Sequence, residues 1–225
     1  MRLVGTLPLV AQPGERWLYN TGSCLLSVLV ARASGMPFET FLKERIFDPL
    51  GMTDTAFTVP ESKRDRFTDV YSVDEQGTLV AQDTVPDSAW NHAPAFPDGA
   101  AGLVSTADDY FAFAQMLHNK GVYQGERVLS RPAVELMTTD RLTAEQRQDA
   151  FGGARGWGFG VSVCIRRDGL AATPGRYGWD GGLGTSWYND PAEDLIGILL
   201  TQRFEYPDYN PVYLDFWTSA YQALS

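Results

Sequence analysis

Near the C-terminus lies Tyr177-Gly178-Trp179-Asp180-Gly181-Gly182-Leu183-Gly184-Thr185-Ser186-Trp187, in which four residues are glycine and six carry hydrogen-bonding or stacking side chains. Glycine at this density removes the Cβ atoms that would hold a ligand or a neighbouring strand away. The run therefore demands a backbone that comes close to something else. By composition alone it is a Gly-rich hairpin turn between two strands. Upstream, Trp157, Phe159, Val161, Val163 and Ile165 alternate with Gly158, Gly160, Ser162, Cys164 and Arg166, the period of a strand with one buried face. Downstream, residues 194–202 form a nearly continuous apolar strand. A closing helix over 211–224 presents Val212, Phe216, Trp217 and Ala220 to the sheet.

The 225 residues suffice for a substantial core, and 44% apolar content is that of a globular chain. With 28 acidic against 18 basic residues the net charge is -10, and the basic residues are scattered. Nucleic acid and anionic membrane surfaces are therefore poor partners. Cys24 and Cys164 sit in apolar runs outside any C-x-x-C pair, so zinc and a redox dithiol find no support. Only two histidines, His92 and His118, are present, each read as a surface or loop residue, which leaves a Ser-His-Asp triad thinly supplied. No run of 18 apolar residues occurs, and Pro8, Gln12 and Pro13 interrupt any signal-peptide core. Cytoplasm is the default expectation, and any signal peptide would lie on a segment preceding Met1.

Residues 1–18 read as an extended lead-in. A helix over 22–34 is apolar almost all round, which predicts burial on most sides, with Gly35 placed to end it. A second helix starts near Pro37 and carries the stripe Phe38, Phe41, Leu42, Ile46. Residues 53–100 are poor in periodicity but hold one hairpin candidate around Asp74-Glu75-Gln76-Gly77. Ser105 with Asp108 reads as a capping-box variant opening a helix lined by Tyr110, Phe113, Ala114 and Leu117, and Ser130 opens a shorter helix over 132–138. The order is helices first, then three antiparallel strands, then a helix: an α+β chain with a mostly helical and loop part over 1–152 and a sheet part over 153–225.

Four runs carry a resemblance. They are Pro13-Gly14-Glu15-Arg16-Trp17-Leu18-Tyr19-Asn20-Thr21-Gly22, Phe47-Asp48-Pro49-Leu50-Gly51-Met52-Thr53-Asp54-Thr55-Ala56-Phe57, Ala101-Gly102-Leu103-Val104-Ser105-Thr106-Ala107-Asp108-Asp109 and Gly178-Trp179-Asp180-Gly181-Gly182. In this order they resemble the serine β-lactamase-like family of class C β-lactamases, penicillin-binding-protein-like peptidases and related esterases. The resemblance implies a β-lactamase/transpeptidase-like fold, no cofactor or metal, and acyl transfer by a serine in a Ser-x-x-Lys motif. It also implies a proton-relaying tyrosine at the head of a Tyr-x-Asn motif. Tyr19 is the only tyrosine in the matching region, with Thr21 where the asparagine would stand; the other register puts Leu18 in the tyrosine's place.

Trp179-Asp180-Gly181 fits the Trp-x-Gly form of the family's third motif. Resemblance then implies that the Gly182 N–H is one of two oxyanion donors, with Trp179, Gly181 and Thr21 beside the substrate. The lack of a lysine in this motif moves the expected substrate from carboxylate-bearing β-lactams toward esters. No Ser-x-x-Lys occurs in the sequence, and Thr40-Phe41-Leu42-Lys43 falls on the wrong side of the tyrosine motif. The chain therefore reads as the C-terminal part of a family member. Two functions follow: part of a serine hydrolase, or a catalytically inactive binding module that keeps the cleft. Without an N-terminal partner strand, residues 195–201 would form an apolar sheet edge, which predicts self-association or pairing with a complementary N-terminal fragment.

Overall fold

The computed structural model describes residues 4–204 and 211–224. Helix α1 (Thr21–Ser34) ends at Gly35 in the left-handed conformation, as expected. Its predicted burial is not found: only Ser27 is buried, while Leu25, Leu26 and Leu29 are 44%, 56% and 59% exposed. Among the described residues nothing covers that face. Helix α2 (Phe38–Leu42) runs through a π-helical turn over Lys43–Phe47 into α3 (Asp48–Leu50). Pro37 caps it rather than occupying its first turn. Leu42, Ile46, Phe47 and Leu50 face the core.

The hairpin predicted around Asp74–Gly77 forms from β1 (Val70–Val73) and β2 (Leu79–Asp83), its turn fixed by Asp74 accepting from the Gln76 and Thr78 N–H groups. Helix α4 (Ala107–His118) is capped one residue later than the sequence suggested. Thr106 accepts from the Asp109 N–H, while Ser105 bonds Thr55 instead. A two-residue hairpin, β3 (Val122–Tyr123) and β4 (Glu126–Arg127), leads to α5 (Arg131–Met137), which is capped by Ser130 as read. Helix α6 (Ala144–Phe151) was not anticipated, although Thr143 and Gln146 form a capping box that marks its start.

The stretch read as one strand over 157–165 is two. Strands β5 (Arg155–Trp157) and β6 (Ser162–Cys164) pair antiparallel through a turn at Gly160, whose φ of 85° few residues but glycine adopt. Then come β7 (Tyr177–Gly181), β8 (Thr185–Asp190) and β9 (Leu195–Leu200), giving a five-stranded antiparallel sheet ordered β5-β6-β7-β8-β9. The set of three strands is thus corrected to five. The closing helix is α7 (Pro211–Gln222).

The period of two sorts the sheet's side chains. Tyr177, Trp187, Ile196 and Ile198 meet α4, α5 and the α2–α3 helix in one core. Tyr188 and Leu199 meet Tyr213 and Trp217 of α7 in a second, smaller core on the other side. Met116, Leu117 and Val134 are fully enclosed in the first, each side chain contributing on the order of 1.5–3 kcal/mol by leaving water. This core draws residues from both sides of position 152, so helical part and sheet part share one interior.

Candidate active site

Tyr19 lies on a loop without regular structure, between residue 7 and α1, so its position depends on what grips that loop. Trp17 wedges between Phe151 and Trp157, with ring centroids at 4.8 and 5.1 Å. The Gln146 side-chain amide donates to the Gly14 carbonyl at 2.7 Å. Trp157 is itself held by Asp140, which accepts its backbone N–H at 3.0 Å and pairs with Arg147 at 2.5 Å. Just after Tyr19, Asn20 takes φ 85° and ψ -68°, a tight γ-turn geometry that is costly for a non-glycine residue and turns the chain into α1.

The loop meets the Gly-rich strand. The Trp179 indole N–H donates to the Tyr19 phenol oxygen at 2.7 Å, across 160 residues of sequence. Their rings are 5.3 Å apart, and Trp157 stands edge-on to Trp179 at 4.6 Å. Because the phenol oxygen accepts this bond, its own proton remains available to another group. Leu18 is 52% exposed and makes no such bond.

Beyond Gly178, β7 pairs only with β8, so the other edge of residues 179–182 is free among the described residues. The strand ends in a tight loop in which the Gly184 N–H donates to the Gly181 carbonyl at 3.1 Å; Gly184 takes φ 79°, the left-handed residue such a loop needs. Gly182 is exposed, its nearest neighbour on the Cβ side being the Phe204 ring at 3.9 Å. Asp180 points to the α7 side and accepts from Ser186 at 2.5 Å and Tyr188 at 3.1 Å.

Of the residues singled out from sequence, Tyr19 and Trp179 touch, Gly181 ends the same strand as Trp179, and Gly182 opens the turn that follows. Thr21 sits exposed at the first position of α1, its side chain bonding none of them. Trp187, which the turn could have sent to the cleft, is instead 5% exposed in the core and donates to Asn189. Burial pushes the Tyr110 and Tyr177 phenols up to about 12, so neither can act as a base near neutrality. A hydrogen bond to Asp98 raises the Cys24 thiol and burial raises Cys164, leaving neither thiol activated. Among the described residues no group of three or more His, Cys, Asp or Glu could hold a metal. Sequence reasoning missed the aromatic support of Tyr19 by Trp17, Phe151 and Trp157, which no local spacing encodes. It also missed an apolar cavity of about 290 Å³ lined by Phe57, Trp90, His92, Phe96 and Asp98.

The family model described as Beta-lactamase matches residues 1–220. Protein Rv1367c of Mycobacterium tuberculosis is 40% identical over 210 residues, covering 89% of this chain and 52% of that protein. Esterase EstB of Burkholderia gladioli is 29% identical over 223 residues, covering 89% and 53%. Among solved structures, a mutant of simvastatin synthase from Aspergillus terreus superposes with a TM-score of 0.80 at 26% identity, covering 96% of this chain and 58% of that one. The chain spans about half the length of the curated relatives it matches.

Proposed function

The chain belongs to the β-lactamase family and has its α+β, β-lactamase/transpeptidase-like fold, and we propose that it supplies the proton-relaying tyrosine and the oxyanion strand of a serine hydrolase acting by acyl transfer on esters. The observation that carries this is the 2.7 Å bond from Trp179 to Tyr19, which brings two separate motifs to one point beside a free strand edge. Placing Tyr19, rather than Leu18, at the head of its motif rests on the same bond.

The Trp179–Tyr19 contact supports the following roles. A serine oxygen attacks the ester carbonyl carbon, its proton passing to Tyr19 as Tyr19 hands its own phenolic proton to the lysine of the Ser-x-x-Lys motif, and the carbonyl electrons move onto the oxygen. The Gly182 N–H donates to that oxyanion, a contact whose loss typically costs about 10²–10³ in rate. Collapse of the intermediate breaks the carbon–oxygen bond to the alcohol, which leaves with the proton from Tyr19. Water then repeats the sequence on the acyl-serine. Trp179, Gly181 and Thr21 flank the substrate. An indole N–H stands where the lactamases place a lysine ammonium, which favours uncharged esters over carboxylate-bearing β-lactams or peptide-like substrates.

We place the nucleophile on a Ser-x-x-Lys helix outside these residues, encoded upstream or on a second polypeptide, which makes this chain the C-terminal portion of one β-lactamase-like domain. The exposed leucines of α1 and the edge of β9, which pairs with no other strand among the described residues, support association with such a complementary segment, or with a second copy. The test is hydrolysis of a p-nitrophenyl ester by the chain alone and after addition of the Ser-x-x-Lys segment. Activity only in the complemented protein, lowered about 10²–10⁴-fold by Tyr19→Phe, is expected. Turnover by the chain alone overturns the placement of the nucleophile; full activity of Tyr19→Phe overturns the relay. Ligand binding without turnover after complementation identifies an inactive binding module instead.

A further inference from the structure

The Gly181 carbonyl accepts two hydrogen bonds, from the Gly184 N–H at 3.1 Å and from the Tyr213 hydroxyl of α7 at 2.9 Å. Tyr213 is 7% exposed, packed with Trp217 and Tyr188 in the second core. The carbonyl of Gly181 and the N–H of Gly182 belong to one planar trans peptide, in which they point in opposite directions. Fixing the carbonyl toward β8 and α7 therefore aims the Gly182 N–H at the free edge of β7, the side on which Trp179 and Tyr19 meet. Neither glycine carries a side chain that packs, so the orientation of this peptide rests on hydrogen bonds, the turn bond from Gly184 and the second one from Tyr213.

We propose that Tyr213 is a positioning residue for the oxyanion donor: through the Gly181 carbonyl it locks the orientation of the Gly182 N–H. This rests on the reading of Gly182 as that donor. The bond is backed by the helix that carries it. One turn along α7, the Trp217 indole donates to Ser186, which in turn bonds Asp180, so the helix grips β7 and β8 on both sides of the turn. A preorganised donor acts on the transition state more than on the bound ester, because the charge it meets develops only there.

The test uses the complemented, ester-hydrolysing protein. Tyr213→Phe keeps the ring and removes only the hydroxyl. Expected are a kcat about tenfold lower with KM within twofold, a fraction of the roughly 10²–10³ lost with a whole donor. The affinity for an arylboronic acid, whose tetrahedral adduct places an oxygen in the oxyanion position, is expected to fall by the same factor as kcat/KM. Gly182→Pro, which deletes the N–H itself, separates the two readings. If Gly182→Pro keeps full activity, the oxyanion assignment fails; if it is inactive while Tyr213→Phe matches the unmodified protein in kcat and boronate affinity, only the role of Tyr213 fails. Should Tyr213→Phe fold poorly, the ratio of boronate to substrate affinity, measured per folded molecule, decides in the same way.

Discussion

Asp54 illustrates how a side chain in a recognised motif can serve structure alone. Its carboxylate pairs with Lys63 at 2.6 Å and Arg66 at 2.8 Å, and its backbone N–H donates to buried Asp109, tying the loop after α3 to the start of α4. Hydrogen bonds from Arg66 and then Lys63 hold the carboxyl at about 2, below its ordinary 3.8. A depressed pKa means that the folded state prefers the ionised form, so this contribution is complete above 3.8 and is lost as pH falls toward about 2. Asp54→Asn is expected to cost roughly 0.5–1 kcal/mol near neutrality, a typical value for partly exposed pairs. Urea melts of both proteins across that pH window check it: the difference between them should shrink on acidification, and a constant difference refutes the assignment.

At the scale of elements, α7 matters beyond its small core. Trp217 fits under β9 because Gly197 leaves it room; a Cβ there would stand 2.4 Å from the indole ring. The ring also stacks with the Arg176 guanidinium at 4.1 Å, which Tyr188 faces as well at 3.9 Å. Gly197→Ala should therefore push α7 outward at a cost of about 1–3 kcal/mol, the range for overpacking a core. Because Tyr213 rides on the same helix, ester hydrolysis should fall as well, although the substitution is remote from Tyr19. Denaturant midpoints and ester hydrolysis measured on one preparation of the complemented protein check both; a stable variant of undiminished activity would show that the sheet absorbs the methyl group without moving the helix.

For the whole molecule, the sheet stops at β9. Its backbone pairs with β8 on one side, and no described strand pairs with the other. Together with the leucine face of α1 this leaves two apolar features uncovered among the described residues, one an edge that can template another strand. The chain by itself is expected to sediment as a dimer or larger species, or to be recovered with a second polypeptide. A monodisperse monomer with no second band on a denaturing gel would refute that. Introducing a lysine at Ile198 is not a clean probe, since this side chain packs into the main core.

Local chemistry made much of this legible. Caps and glycines placed α1, α5 and the Asp74 hairpin, because these signals depend on a few neighbouring residues and backbone sterics, while the motif order gave only the expectation that the Tyr19 loop and the Trp179 strand share a site. They failed where two elements share a period: Gly158 and Gly160 continued an alternation while the chain reversed, and so two strands read as one. Burial of α1 failed for another reason, since hydrophobicity states what a helix would shed from water but not whether a partner is there to receive it. Only the tertiary structure decided that Tyr19 meets Trp179, that Trp187 belongs to the core, and that a tyrosine on α7 holds the peptide before Gly182. Each of these is a contact between residues far apart in the chain, fixed by packing geometry, which no local pattern encodes.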